Sequence, residues 1–392
     1  MGVLAYQAQS PLRMTEERPL ALSRPWFDER EAERVRAALG GKTGGDGPFC
    51  RRVERRLEAQ LGSPRVLLTT SCTHALELAL MALGVGPGQE VIVPSFTFVS
   101  TANAVLRAGA RPVLADIEDR SLGLDPADVE RRITPRTAAL LPVHYAGVAC
   151  EMTPLLELAQ RRGFKVVEDA AQGLGASLDG QALGSLGDAG AFSFHETKNL
   201  TCGEGGALAL RDPAVAARAE IVREKGTNRS AFLRGEVDKY TWIAEGSSYV
   251  LSDVLAAILD AQLDKQTEIA ARRRRIATRY REELGPWASA HGVRLPAQLP
   301  GRSVNDHIFY LLLPDAAAQV ACLTALRARG VGAAFHYVPL HSSPFGASLG
   351  TGRGDFRVTE RIASTLVRLP LHALLDDGDV ARVVDGVRNS LE

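Results

Sequence analysis

Lys198 stands near the end of the run Gly190-Ala191-Phe192-Ser193-Phe194-His195-Glu196-Thr197-Lys198-Asn199, between Val166-Val167-Glu168-Asp169-Ala170-Ala171-Gln172 and Gly203-Glu204-Gly205-Gly206. A short apolar strand ending in a carboxylate and an aromatic strand ending near a lysine bring an acid and an amine to one sheet edge. An amine there can condense with an aldehyde, and an acid there can keep a heterocyclic nitrogen protonated. Both demands are those of pyridoxal phosphate (PLP), with Lys198 as the Schiff-base lysine and Asp169 paired with the ring nitrogen. A protonated ring accepts electrons as a Cα or C4′ proton leaves, and the freed lysine amine is the base that moves that proton. Gln172 is spaced to hydrogen-bond the cofactor's phenolic oxygen. The competing readings are a helix N-cap for Asp169 and an ordinary surface lysine for Lys198. The glycine cluster argues against the second, because it resembles a tight turn where backbone closely approaches something.

Other segments offer support of a weaker kind. In Thr69-Thr70-Ser71-Cys72-Thr73-His74-Ala75 a strand gives way to a helix, whose unpaired N–H groups attract an anion. The bland alternative is that Ser71 or Thr73 only caps the helix. Phe96 and Phe98, in Pro94-Ser95-Phe96-Thr97-Phe98-Val99, could stack on a flat ring or belong to the core. Period-two alternation puts Phe192 and Phe194 on one face and Ser193 and His195 on the other, so Ser193 faces where a phosphate would need it. His195 is either a pocket residue or a structural histidine.

These residues need a sheet to hold them. Val66–Leu68, Val91–Val93, Arg111–Ala115, Ala138–Val143 and Lys165–Glu168 read as strands, separated by segments such as His74–Leu83 with helical spacing. The alternation implies an α/β fold with a mostly parallel sheet covered on both faces. Right-handed crossovers then align the strand C-termini along one edge. Leu251 to Glu283 reads as one long helix, with Arg272–Arg275 as a solvated face rather than a basic patch. Beyond it Ile308–Leu313, a helix near Ala316–Arg329 and Ala333–Tyr337 suit a smaller α+β domain. The expected division is an N-terminal extension over 1–19, a large domain over 20–264 and a small domain over 265–392.

With 392 residues and 45% hydrophobic content the chain can bury a large core and a smaller one. Lys plus Arg equals Asp plus Glu, at 46 each, which gives no support for nucleic-acid or membrane-surface binding. No apolar stretch approaches the roughly 20 residues of a membrane helix. Met1 to Arg13 does not read as a secretory signal, and Met14 is an alternative start. The five cysteines lack metal-ligand spacing, and their odd number suits a reducing compartment, so a cytoplasmic protein without a metal is expected.

Together these motifs resemble the DegT/StrS family of PLP-dependent nucleotide-sugar aminotransferases, from about Leu20 onward. The residues carrying the resemblance include Leu67–Thr73, Pro94–Asn103, Pro142–Met152, Phe194–Asn199, Arg223–Ser230, Val237–Trp242 and Phe335–His341. Within the family they are most similar to members that aminate C4 of dTDP-4-keto-6-deoxyglucose. The resemblance implies a type I aminotransferase fold with a seven-stranded sheet, L-glutamate as amino donor, and a homodimer with sites at the subunit interface. It implies phosphate ligands at Cys72, Thr73 and Ser193, a stacking ring at Phe98, and Asn228 reaching the partner subunit's phosphate. His336 and Tyr337 would lie near the nucleotide sugar. A family branch of sugar 3-dehydratases carries histidine where Lys198 stands, so the lysine argues against it. A non-catalytic PLP-binding regulator and an aminotransferase for another keto-sugar or a cyclitol are the remaining rivals. The turn at Cys202-Gly203-Glu204 is one residue shorter than in the nearest relatives, so the resemblance leaves its shape open.

Overall fold

The computed structural model describes residues 18–350 and 354–391. Residues 1–17, most of the expected extension, lie outside the described residues, and Arg18 pairs with Asp379 at 2.6 Å. The strands are β1 Arg65–Thr69, β2 Glu90–Pro94, β3 Arg111–Ala115, β4 Thr137–Leu140, β5 Lys165–Asp169, β6 Ser177–Leu178, β7 Gln181–Ala182, β8 Ala189–Ser193, β9 Gly206–Leu210, β10 Arg302–Ser303, β11 Phe309–Leu312 and β12 Leu366–Leu369. Seven of them form one sheet in the order β1-β9-β8-β5-β4-β2-β3. Only β9 runs against the others, pairing antiparallel with β1 and β8. The C-termini of the other six therefore share one edge.

Side-chain alternation buries both faces. On β5, Val166 packs with Ile92, Leu140 and Leu155, while Val167 packs with Leu76, Val93 and Leu208 on the opposite face. A third cluster, with Leu57, Leu68, Phe192 and Phe194, backs β1 and β8. A separate core joins Tyr280, Phe309, Leu311, Leu326, Val367 and Val384, and Leu20 belongs to it. Between the sheet and this smaller core lies a cluster containing Phe96, Tyr145, Ile308 and Tyr310.

Three expectations about elements are corrected. The strand expected over Ala138–Val143 leaves the ladder after Leu140, because Pro142 has no N–H to donate; its carbonyl still accepts from Asp169 N–H at 2.8 Å. The single long helix is two, Asp253–Asp264 and Gln266–Ala290. At the break the fully buried Lys265 ammonium meets Glu31 at 2.6 Å and the Trp26 carbonyl at 2.9 Å. Finally, Arg272–Arg275 is not one solvated face. Arg273 is 5% exposed and donates to the carbonyls of Asp306 and His307 at 3.1 and 2.6 Å. No helix among the described residues is long and apolar enough to cross a membrane.

Candidate active site

The β5 end sets the floor. Glu168 and Asp169 point to opposite faces, as successive strand residues must. Glu168 faces inward and is wholly buried, accepting from His144 Nε2 at 2.8 Å and from the backbone N–H groups of Gly184, Leu186 and Gly187 at 2.8, 2.7 and 2.7 Å. His144 Nδ1 in turn accepts from Cys150 N–H at 3.3 Å, so its proton sits on Nε2. Asp169, the last residue of β5, faces the other way and is buried. Its Oδ2 accepts from Thr101 Oγ1 at 2.8 Å and its Oδ1 from Ala171 N–H at 3.1 Å. No helix follows it, so the N-cap reading does not apply. Burial raises its pKa, and Thr101, the Ala171 N–H and the Lys198 charge only partly offset that.

Lys198 follows β8 in a turn closed by its own N–H to the His195 carbonyl at 2.9 Å. Half-buried, it lines a small cavity with Gln172, Ser193, Asn199, Asn305 and His307. Burial lowers the pKa of its amine; Cys72 and Asp169 oppose the shift, and Arg368 adds to it. Amine and acid lie close enough for each charge to influence the other's pKa. Gln172 Oε1 accepts from Ala146 N–H at 2.6 Å, and its Nε2 donates to Tyr337 Oη at 3.3 Å.

At the β1 end, Ser71 caps the helix Cys72–Ala82 by accepting from His74 N–H at 3.1 Å. The N–H groups of Cys72 and Thr73 begin that helix and have no intrahelical partner. Gly206 lets β9 pass close beneath: a Cβ there would lie 2.3 Å from the Ser71 carbonyl carbon and 2.5 Å from Cys72 N. Burial pushes the Cys72 thiol well above its ordinary pKa, leaving it uncharged. Thr73 Oγ1 donates to Ser100 at 2.9 Å. Of the two phenylalanines, Phe96 is core at 1% exposure and Phe98 is 60% exposed at the N-terminus of the helix Val99–Arg107.

The remaining candidates divide. His336 and Tyr337 stack at 4.0 Å with an interplanar angle of 11°, and Tyr337 packs on the cluster containing Phe96 and Tyr145 and reaches Gln172 at the cavity. His195 turns away, toward Thr197 Oγ1 at 2.9 Å and Glu204 at 3.6 Å. Ser193 ends β8, and its Oγ accepts from His195 N–H at 3.4 Å. Asn228 stands apart on an exposed arm, bridging Lys239 O at 3.0 Å and Thr241 N–H at 2.8 Å. Arg223 and Arg229, within one of the motif segments, are committed away from the cavity. Arg223 holds the Leu68 carbonyl and Asp46, and Arg229 pairs with Glu224 and Asp46.

Sequence reasoning missed several residues that the fold brings here. Asn305 Nδ2 donates to the carbonyls of Gln172 and Leu174 at 2.7 and 2.9 Å. Asn199 Nδ2 donates to the Asn305 carbonyl at 3.0 Å and its Oδ1 meets His307 Nδ1 at 2.8 Å. This bracket, held from behind by Arg273, ties the Lys198 turn to the segment after Asp169. The polar run Asn305-Asp306-His307 before an apolar strand was its visible signal. Thr101 and Arg368 gave no local signal at all.

The donor set fits PLP. A buried carboxylate with few internal donors suits a protonated pyridine, an amine of lowered pKa suits carbonyl condensation, and free N–H groups at a helix start suit a phosphate. The whole chain answers to the same description: a model of the DegT/DnrJ/EryC1/StrS aminotransferase family matches residues 25–388. The chain belongs to that family. It is 33% identical over 387 residues to the spore coat polysaccharide biosynthesis protein SpsC of Bacillus subtilis, covering 94% of this chain and 96% of SpsC. It is 36% identical over 346 residues to the GDP-perosamine synthase of Caulobacter vibrioides, covering 86% and 89%. Spr1654 of Streptococcus pneumoniae, described as a sugar aminotransferase, superposes with a TM-score of 0.88 at 26% identity, over 95% and 97% of the chains, and is solved in PMP and PLP forms. The fold is that of the PLP-dependent aminotransferases, and PLP is the family's cofactor.

Proposed function

We propose that this aminotransferase moves an amino group from L-glutamate to C4 of dTDP-4-dehydro-6-deoxy-D-glucose, yielding dTDP-4-amino-4,6-dideoxy-D-galactose and 2-oxoglutarate. The observation that carries the transamination is a buried carboxylate at the end of β5, beside the parallel strand β8 whose following turn sets Lys198 in a cavity with Gln172. The family resemblance of motifs along the chain supports the dTDP-linked substrate, and relatives named for sugar and polysaccharide work support a sugar as acceptor.

When bound, PLP supplies the electron sink that stabilises the carbanion left by proton loss beside the amino group. Asp169 would keep the proton on the ring nitrogen, and hydrogen bonds from Thr101 and the Ala171 N–H favour its ionised form against the effect of burial. Lys198, its amine biased toward the neutral form by burial, holds the cofactor at rest and moves the proton during turnover. Gln172 would hydrogen-bond the phenolic oxygen, Cys72, Thr73 and Ser193 would hold the phosphate, and Phe98 would pack on the ring. His336 and Tyr337 line the sugar side. Binding energy from the nucleotide, remote from the ketone, orients C4 for attack.

The active unit is a homodimer in this reading. Phe232, Leu233, Tyr240, Trp242 and Ile243 stand exposed on the arm that carries Asn228, an apolar cluster a second chain would cover. Asn228 fastens the arm with one amide hydrogen and offers the other to the partner's phosphate. The GDP-perosamine synthase relative favours a second reading, amination of a GDP-linked keto-sugar. Incubating the enzyme with glutamate and either keto-sugar, followed by NMR of the product, separates them. The dTDP-linked galacto product with stoichiometric 2-oxoglutarate is expected; turnover of the GDP-linked sugar alone would reject the first reading.

A further inference from the structure

Arg368, on β12, stands behind His336 and Tyr337, the second of which reaches Gln172 at the Lys198 cavity, and no carboxylate among the described residues answers its charge. Its Nη1 donates to His336 Nε2. Its Nε is buried without a hydrogen-bond partner, and no Asp or Glu among the described residues forms an ion pair with it. His336 cannot neutralise the guanidinium. The ring accepts at Nε2, so its proton sits on Nδ1, which meets Tyr145 Oη at 3.1 Å. Burial, Arg368 and Lys198 push its pKa down to about 2, which keeps it neutral. Arg223, Arg229 and Arg273, by contrast, are bonded to carboxylates or backbone carbonyls.

The surroundings fix where this cation points. His336 stacks on Tyr337, and Tyr337 Oη accepts from Gln172. The chain Arg368–His336–Tyr337–Gln172 therefore puts the guanidinium on the Gln172 side of the cavity, near the amine of Lys198, whose pKa it lowers. The helix N-terminus at Cys72, proposed for the cofactor phosphate, belongs to a different strand end. With Nη1 engaged, the Nε–Nη2 edge remains: two parallel N–H donors, the geometry that takes a carboxylate in bidentate fashion. An uncompensated charge in a partly desolvated pocket is costly, so its retention points to an anion that arrives with a substrate.

We propose that Arg368 binds the α-carboxylate of the amino donor through its Nε–Nη2 edge. The proposal rests on the transamination reading above and deepens it: the donor is an α-amino acid, held so that its amino nitrogen lies beside Lys198. An acidic group in the nucleotide sugar or the cofactor phosphate offers similar chemistry, and the test distinguishes them.

The test follows the two half-reactions separately in holoenzyme, by the visible spectrum of the cofactor, for wild type, Arg368→Gln and Arg368→Lys. In Arg368→Gln the glutamate concentration needed for half-maximal conversion rises about 10- to 100-fold, the loss of a charged hydrogen-bonded contact. Arg368→Lys recovers part of it. The variant also loses the preference for glutamate over 4-aminobutyrate, which lacks the α-carboxylate. Cofactor retention stays at the wild-type level, and the reaction of the aminated enzyme with keto-sugar weakens only a few-fold, through the His336 contact that Arg368 also makes. Unchanged glutamate dependence overturns the proposal. So does an equal loss in the keto-sugar half-reaction, which assigns Arg368 to the nucleotide, or loss of cofactor, which assigns it to the phosphate. A wild-type enzyme that glutamate leaves spectrally unchanged overturns the transamination reading itself.

Discussion

Around Glu168 every available donor is used: one imidazole and three backbone N–H groups converge on a carboxylate with no exposure to solvent. Around Asn228 the reverse holds. Trp242 is 76% exposed and Leu233 62%, and the arm is fastened mainly by its own backbone and one asparagine amide. The first region is finished within one chain, and the second has apolar surface left over. The contrast suggests a division of labour. The sheet presents the acid and the amine at fixed positions, while the arm, in the dimer proposed above, would serve the partner's site.

If the floor is rigid for the reason given, breaking it is expensive. Glu168→Ala strands four buried donors and is expected to cost about 3–5 kcal/mol in chemical denaturation, comparable to breaking a buried ion pair. A loss below 1 kcal/mol would mean that water replaces the carboxylate. Gly206→Ala probes the close approach of β9 to the helix start. Its Cβ has no room beside the Ser71 carbonyl carbon, so about 1–3 kcal/mol of stability and faster PLP release are expected.

Thr101→Val is subtler. The hydroxyl favours the charged form of Asp169, so its removal raises an already elevated pKa and moves the acid limb of the activity profile upward. About tenfold slower turnover at neutral pH is expected. The folded carboxyl holds its proton more tightly than the unfolded one. This group therefore withdraws stability as pH climbs from the unfolded pKa of 3.8 through the folded value, and the valine variant should widen that window. An unmoved acid limb would detach Asp169 from the profile.

The arm should respond differently. Trp242→Ala should change the stability of the chain by no more than about 0.5 kcal/mol, since the ring is solvated. In gel filtration, however, the variant should elute as a smaller species than wild type. Coincident elution would remove the arm from the interface.

Much of the inner site was legible because it is local. Asp169 and Ser193 each close a short apolar strand, Lys198 follows in the next turn, and a cap plus helix formers announced the junction at Cys72. Strand order then brought those ends together without further information. What sequence did not reveal depends on distant contacts. Arg273 looked solvated because its neighbours are charged, yet it grips carbonyls more than 30 residues away. Lys265 interrupts a helix whose periodicity runs straight through it, because its partner Glu31 lies far upstream. Arg368 sits in an ordinary strand, and only the fold reveals that no acid accompanies it.

The most direct measurement is borohydride reduction of the holoenzyme followed by peptide mapping, which converts the resting cofactor linkage into a stable mass tag. The account predicts a phosphopyridoxyl group on the peptide containing Lys198. A tag on another lysine, or none in enzyme that retains its cofactor colour, would contradict it.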